Sequence, residues 1–152
     1  MNILSITGLL PIPGINKAND FLLPLYKNLK ESFPTSNVYF IRSNKYDLFN
    51  KESKSIIRLK EYKIDGFQVS ILPYISSYRY LSLHSILGYT LFYLNKKSIK
   101  ELLKRHDINI IHAEYILPDG VLAYLINKYF NIPYLITTHK DCIKIKSIIP
   151  HG

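Results

Sequence analysis

His112, Glu114, Asp119, His139 and Lys140 gather chemistry-capable side chains into one stretch, Asp107 to Asp141. Imidazole and carboxyl groups at such positions can exchange protons or stabilise charge. The stretch reads as a buried strand, a loop holding polar groups, a helix, and a second buried strand ending at His139. That is a βαβ unit, with its polar side chains collected where both strands end. In open α/β sheets ligands bind outside the carboxyl ends of the strands, so function is expected there.

The elements that position these residues follow from composition and punctuation. Asn109-Ile110-Ile111 enters a short apolar run, and Tyr134 to Thr138 is β-branched and aromatic just after Pro133. Neither run alternates cleanly, as expected of parallel strands buried on both faces. Pro118 suits a first helical turn, where its missing N–H costs nothing. Val121, Leu122, Leu125, Ile126 and Tyr129 then recur at helical spacing, and Asn131 and Pro133 end the helix. The crossover is expected to be right-handed.

A chain of 152 residues suits one domain with a sizeable core. A hydrophobic fraction of 47% with 20% charged residues excludes a disordered segment. The single Cys142 excludes an intramolecular disulfide and reads as a structural thiol, and no Cys/His cluster has metal-ligand spacing. Residues 1–10 lack a basic segment and a cleavage site, so they read as a strand rather than a signal peptide. The run from Tyr80 to Asn95 is too short and interrupted to span a membrane. A soluble, cytoplasmic protein is expected. The net charge of +9 would attract phosphates, nucleic acid or anionic lipid without choosing among them, and it could equally reflect nucleotide bias.

Along the chain, Asn2 to Thr7 reads as a central strand, and Gly8 to Asn16 as a Pro/Gly loop. Asn19 or Asp20 is the expected N-cap of a helix reaching about Ser32, with Phe21, Leu22, Leu25, Tyr26 and Leu29 as its apolar face. Asn37 to Arg42 follows as a strand, Lys45 to Lys63 as a basic excursion with some helix, and Asp65-Gly66 as a turn before a strand over Phe67 to Leu72. Tyr78 to Arg105 reads as a helix with a break near Gly88. The fold class is therefore α/β, a Rossmann-like parallel sheet flanked by helices. No GxGxxG or Walker loop follows the first strand, which argues against a dinucleotide cofactor bound in the usual way.

The pattern strand–His112-Ala113-x-Tyr115-x-x-Pro118-Asp119-Gly120–helix–Ile132-Pro133-Tyr134–strand–Thr138-His139 resembles the amino-terminal domain of family 4 glycosyltransferases. These are retaining GT-B enzymes with two Rossmann-like domains facing across a cleft. The resemblance implies that residues 1–152 are the acceptor-side domain. The donor-binding domain, with its Glu-x7-Glu motif, would be supplied in cis or in trans, and the fragment alone would not turn over. It implies a nucleotide-sugar donor, a carbohydrate or lipid-linked acceptor, no cofactor, and a place in surface polysaccharide synthesis.

Site roles come with the same resemblance. Gly14, or Asn19 at the start of the following helix, matches the approach to the donor phosphates, although the Gly-Gly pair of relatives is missing. Glu114 stands where relatives carry the second His of His-x-His; it is read as a catalytic carboxylate, with a solvated loop carboxylate as the alternative. His112 is either structural or a ligand contact. Asp119 either caps the helix or faces the ligand. His139 is expected to line the cleft as a second catalytic residue, and Lys140, replacing a Gly, to meet a phosphate.

The competing reading is a non-catalytic basic module that docks on anionic membrane or nucleic acid. It requires Lys96, Lys97, Lys100, Lys104 and Arg105 to form one patch at the end of the long helix. The lack of an aromatic-basic recognition motif argues against nucleic acid.

Overall fold

Residues 2–7, NILSIT, alternate their side chains across a strand, β1 (Asn2–Thr7), that is buried along nearly its whole length. Leu4 and Ile6 face one side, while Ile3 and Ser5 face the other. The computed structural model describes residues 1–11, 22–46, 61–75 and 84–138. Five further strands join β1: β2 (Asn37–Tyr46), β3 (Glu61–Ile64), β4 (Phe67–Ile75), β5 (Ile110–Ala113) and β6 (Tyr134–Ile136). They form a six-stranded sheet in the order β3-β4-β2-β1-β5-β6. All neighbours pair in parallel except β3, which pairs antiparallel with β4. Chain order therefore reverses at β1, whose two neighbours are β2 and β5.

Three α-helices are present among the described residues: α1 (Leu22–Ser32), α2 (His84–Arg105) and α3 (Val121–Phe130). Leu23 and Tyr26 of α1 pack on Ile3, Val38, Phe40 and Val69, forming one core. Leu91, Phe92 and Ile99 of α2, with Leu122 and Ile126 of α3, pack on Leu4, Ile6, Ile41 and Ile111 to form the other. Each such buried side chain stabilises the fold by roughly 1.5–3 kcal/mol. The mixed, mostly parallel sheet with helices on both faces is compatible with a Rossmann-like fold. Among the described residues no helix is long and apolar enough to cross a membrane.

Several expectations are corrected. β2 runs on to Tyr46 and β4 to Ile75, pairing over their added length. The excursion ends in a strand, β3, whose Glu61-Tyr62-Lys63-Ile64 alternates exposed and half-buried residues. Asp65 (φ 50°) and Gly66 (φ 83°) make the turn between β3 and β4. Pro118 stands in the turn that leads into α3: Leu117 before it is extended, and the Val121 N–H donates to the Pro118 carbonyl. Asn131 does end α3, in a left-handed conformation. β6 is not buried on both faces: Tyr134, Leu135 and Ile136 are 37–45% exposed, and among the described residues β6 is the edge strand on its side of the sheet. The excursion over 47–60, residues 78–83, the start of the first helix and Cys142 lie outside the described residues.

Gly88 does not break α2. It marks the crossing of α2 over α3, where a Cβ on Gly88 would lie 2.5 Å from Val121 Cβ and 2.6 Å from its Cγ1. Alanine would gain about 1 kcal/mol in helix propensity, but forcing two packed helices apart costs about 1–3 kcal/mol. Gly88→Ala is therefore expected to lower stability in urea denaturation. The loss should shrink by more than about 1 kcal/mol in a Val121→Gly background, and strictly additive effects would refute the contact.

Candidate functional site

The carboxyl ends of β1 and β5 lie side by side at the point where strand order reverses. Strand alternation sets what collects there. Ser5 of β1 and His112 of β5 pair in register, and both point toward α1, as does Glu114 just beyond β5. Tyr26, the one buried aromatic of α1, reaches them from above. Its ring packs edge-on against Phe40 with centroids 4.9 Å apart, so the phenol oxygen is delivered to the polar cluster at a fixed position.

That oxygen lies 2.6 Å from Glu114 Oε1, 2.6 Å from His112 Nδ1 and 2.8 Å from Ser5 Oγ. His112 Nε2 is 2.7 Å from Thr137 Oγ1. The phenol has a single proton. Donated to Glu114, it leaves the Ser5 hydroxyl and Nδ1–H of His112 to donate to the Tyr26 oxygen, while His112 Nε2 and the Thr137 hydroxyl share the remaining contact. Burial first, then the charge of Glu114 and its hydrogen bond, push the Tyr26 phenol well above the usual tyrosine range, with Ser5 opposing. Tyr26 stays protonated and donating.

A second carboxyl approaches the same edge from the other face. Asp119 is 1% exposed and is held by the Ser43 hydroxyl and the Gly8 backbone N–H. Its Oδ1 is enclosed without a hydrogen-bond partner among the described residues. Burial, then repulsion from Glu114, raise its pKa from 3.8 to about 8, while the Ser43 and Gly8 hydrogen bonds lower it. Gly8 permits this approach, since a Cβ there would sit 3.3 Å from Ser43 Oγ. Arg42 Nε donates to the Leu10 carbonyl at 2.5 Å, and the Tyr62 hydroxyl donates to the Pro11 carbonyl at 2.7 Å. Together they clamp the start of the loop after β1. Burial pushes the Tyr62 phenol up to about 12.

The structure therefore unites three of the expected site residues, His112, Glu114 and Asp119. Gly14, Asn19, His139 and Lys140 lie outside the described residues. Two of the simpler alternatives are corrected. Glu114 is not a solvated loop carboxylate: it is fully buried under α1, because its side chain falls on the strand face that Tyr26 covers. Asp119 does not cap α3: its carboxyl is hydrogen-bonded by Ser43 and the Gly8 backbone instead. Tyr26, Ser5, Ser43, Thr137 and Arg42 were not foreseen as site residues. A serine in the middle of an apolar strand was the available signal, with His112 and Glu114 two residues apart on one face of the neighbouring strand.

Two of the five cations expected to form one patch have partners of their own. Arg105 turns to Glu61 at 2.8 Å, and Lys96 lies over the Tyr129 ring, 4.0 Å from its centroid. Among the described residues no group of His, Cys, Asp and Glu is placed to hold a metal ion. No protein-family model matches the chain, and no curated protein matches its sequence.

Two outcomes follow. Tyr26→Phe removes the buried donor between Glu114 and His112 and is expected to cost about 1–3 kcal/mol in denaturant unfolding; an unchanged midpoint would refute a stabilising role for the Tyr26–Glu114 hydrogen bond. For Asp119 the native pKa lies above the unfolded one, so the native state binds the proton more tightly. Its contribution is most favourable below pH 3.8 and declines as pH rises toward about 8. Asp119→Asn, which mimics the protonated acid, is expected to become more stable relative to the parent between about pH 5 and about pH 8.5, by on the order of a few kcal/mol. Parallel pH profiles of the two proteins would show that Asp119 is ionised throughout.

Proposed function

We propose that the chain is the acceptor-side half of a retaining glycosyltransferase of the GT-B type, transferring a sugar from a nucleotide-activated donor to an acceptor hydroxyl in surface polysaccharide synthesis. Support comes above all from the buried Ser5–Tyr26–His112–Glu114 network beneath the reversal point of the sheet, since open α/β sheets bind ligands at that point. In this reading Glu114 holds Tyr26 and His112 in place from below the ligand, and His139 approaches from the next strand. The loop after β1 is clamped at Leu10 and Pro11, and in this reading Gly14 and Asn19 are the residues that meet the donor phosphates. Lys140 meets the same charge. A second domain holds the donor nucleotide, and the reaction takes place on the cytoplasmic side of a membrane.

Nucleotide release from a panel of nucleotide-sugars tests this reading. It would be measured for this chain and for a longer product that joins it to a domain carrying Glu-x7-Glu. Turnover is expected only in the longer product, falling about 100-fold or more in Glu114→Ala. Turnover by the short chain alone, or silence of the longer product toward every nucleotide-sugar, would defeat it.

A further inference from the structure

The outer side of α2 carries a stripe that the site does not use. Ile86, Tyr89, Tyr93, Lys97, Lys100 and Lys104 succeed one another three or four residues apart, the spacing that aligns side chains along one helix face. All six are exposed. The face opposite is the one packed on the sheet, through Leu91, Phe92 and Ile99. The stripe is divided along its length, with aliphatic and aromatic groups in its first half and three lysines in its second. Leu94, 63% exposed, flanks the first half. Glu101 is the one acidic residue in α2, and α3 contains none.

α3 adds to this surface. Tyr129 hydrogen-bonds to Tyr93, hydroxyl to hydroxyl, at 3.0 Å, and Lys96 lies over its ring. Tyr124 and Lys128 of α3 are also exposed. The aromatic rings are thus partly ordered by one another before any partner arrives, which reduces the entropy lost on contact.

We propose that this face docks the protein on an anionic lipid bilayer, with α2 lying in the plane of the interface. Ile86 and Leu94 would enter the acyl boundary, the tyrosines would sit at headgroup depth, and Lys97, Lys100 and Lys104 would meet lipid phosphates. The aliphatic groups distinguish a bilayer from nucleic acid, whose phosphates offer Ile86 and Leu94 nothing to bury against. Arg105, drawn aside to Glu61, is not part of the contact. The inference is independent of what the site catalyses.

Cosedimentation of the whole chain with vesicles of phosphatidylcholine containing about one-third phosphatidylglycerol, against phosphatidylcholine alone, tests it. Binding is expected only to the anionic vesicles and is expected to weaken as salt rises. Each lysine near the surface contributes about fivefold, so Lys97→Glu/Lys100→Glu/Lys104→Glu should reduce binding about 100-fold or more. Ile86→Ser/Leu94→Ser should reduce it about tenfold with every charge kept. Lys27→Glu/Lys30→Glu reverses two charges on the α1 side and should leave most of the binding intact. All these positions are exposed, and circular dichroism should show an unchanged fold. Equal loss per reversed charge in the two charge-reversed proteins would overturn the proposal in favour of net charge alone. Absence of vesicle binding, or tighter binding to duplex DNA than to the anionic vesicles, would overturn it outright.

Discussion

The phenol oxygen of Tyr26 is the point at which α1, β1 and β5 are joined by polar contacts. A carboxyl, an imidazole and a hydroxyl are withdrawn from water around it, and each would be costly to bury without a partner. The solution is geometrically demanding. The Tyr26 ring is fixed by Phe40, Ser5 and His112 by their register in the sheet, and Thr137 by its backbone N–H, which donates to the Ala113 carbonyl at 2.9 Å. Removing any member leaves another unsatisfied in a region of low dielectric, so the group acts as a unit. Its position under the reversal of strand order ties the packing of α1 to the shape of the carboxyl edge.

Asp119 obeys the same constraint and resolves it differently. It has a hydroxyl and one backbone N–H for company, and the nearby Glu114 charge acts against its ionisation. Burial first, then the Glu114 charge, raise its pKa, so the carboxyl gains by holding a proton.

Much of the fold was legible because period and punctuation agreed. NILSIT, the turn at Asp65-Gly66, and the left-handed Asn131 before Pro133 each carry a local signal that tertiary packing does not override. β3 escaped notice because its alternation is only four residues long and two of them are charged. Gly88 was misread because a glycine in a helix has two physical meanings, a weak point or a close approach, and only the position of Val121 separates them. The candidate site was legible as a location and less so as a set of residues. His112, Glu114 and Asp119 are adjacent in sequence and were found together. Tyr26 looked apolar because its ring is, and its hydroxyl acquires meaning only when α1 is laid across β1 and β5.

The sheet also separates two kinds of surface. Polar groups of the Tyr26 cluster lie on the α1 side, whereas the lysine and tyrosine stripe of α2 lies beyond the opposite core. The body of α2, the core beneath it and the sheet stand between them, so changes on the stripe are expected to add to changes in the cluster without coupling. The relation along the helix axis is closer. Because α2 leaves β4 and returns to β5, which runs in the same direction as its sheet neighbours, its first turns lie at the carboxyl edge and its lysines at the far end. Gly88 meets Val121 and Pro118 there, within the segment that also carries Asp119. A bilayer contacting the aromatic end of α2 would therefore lie beside the helix crossing that supports the site, and the lysines would hold the long axis of α2 against the same surface.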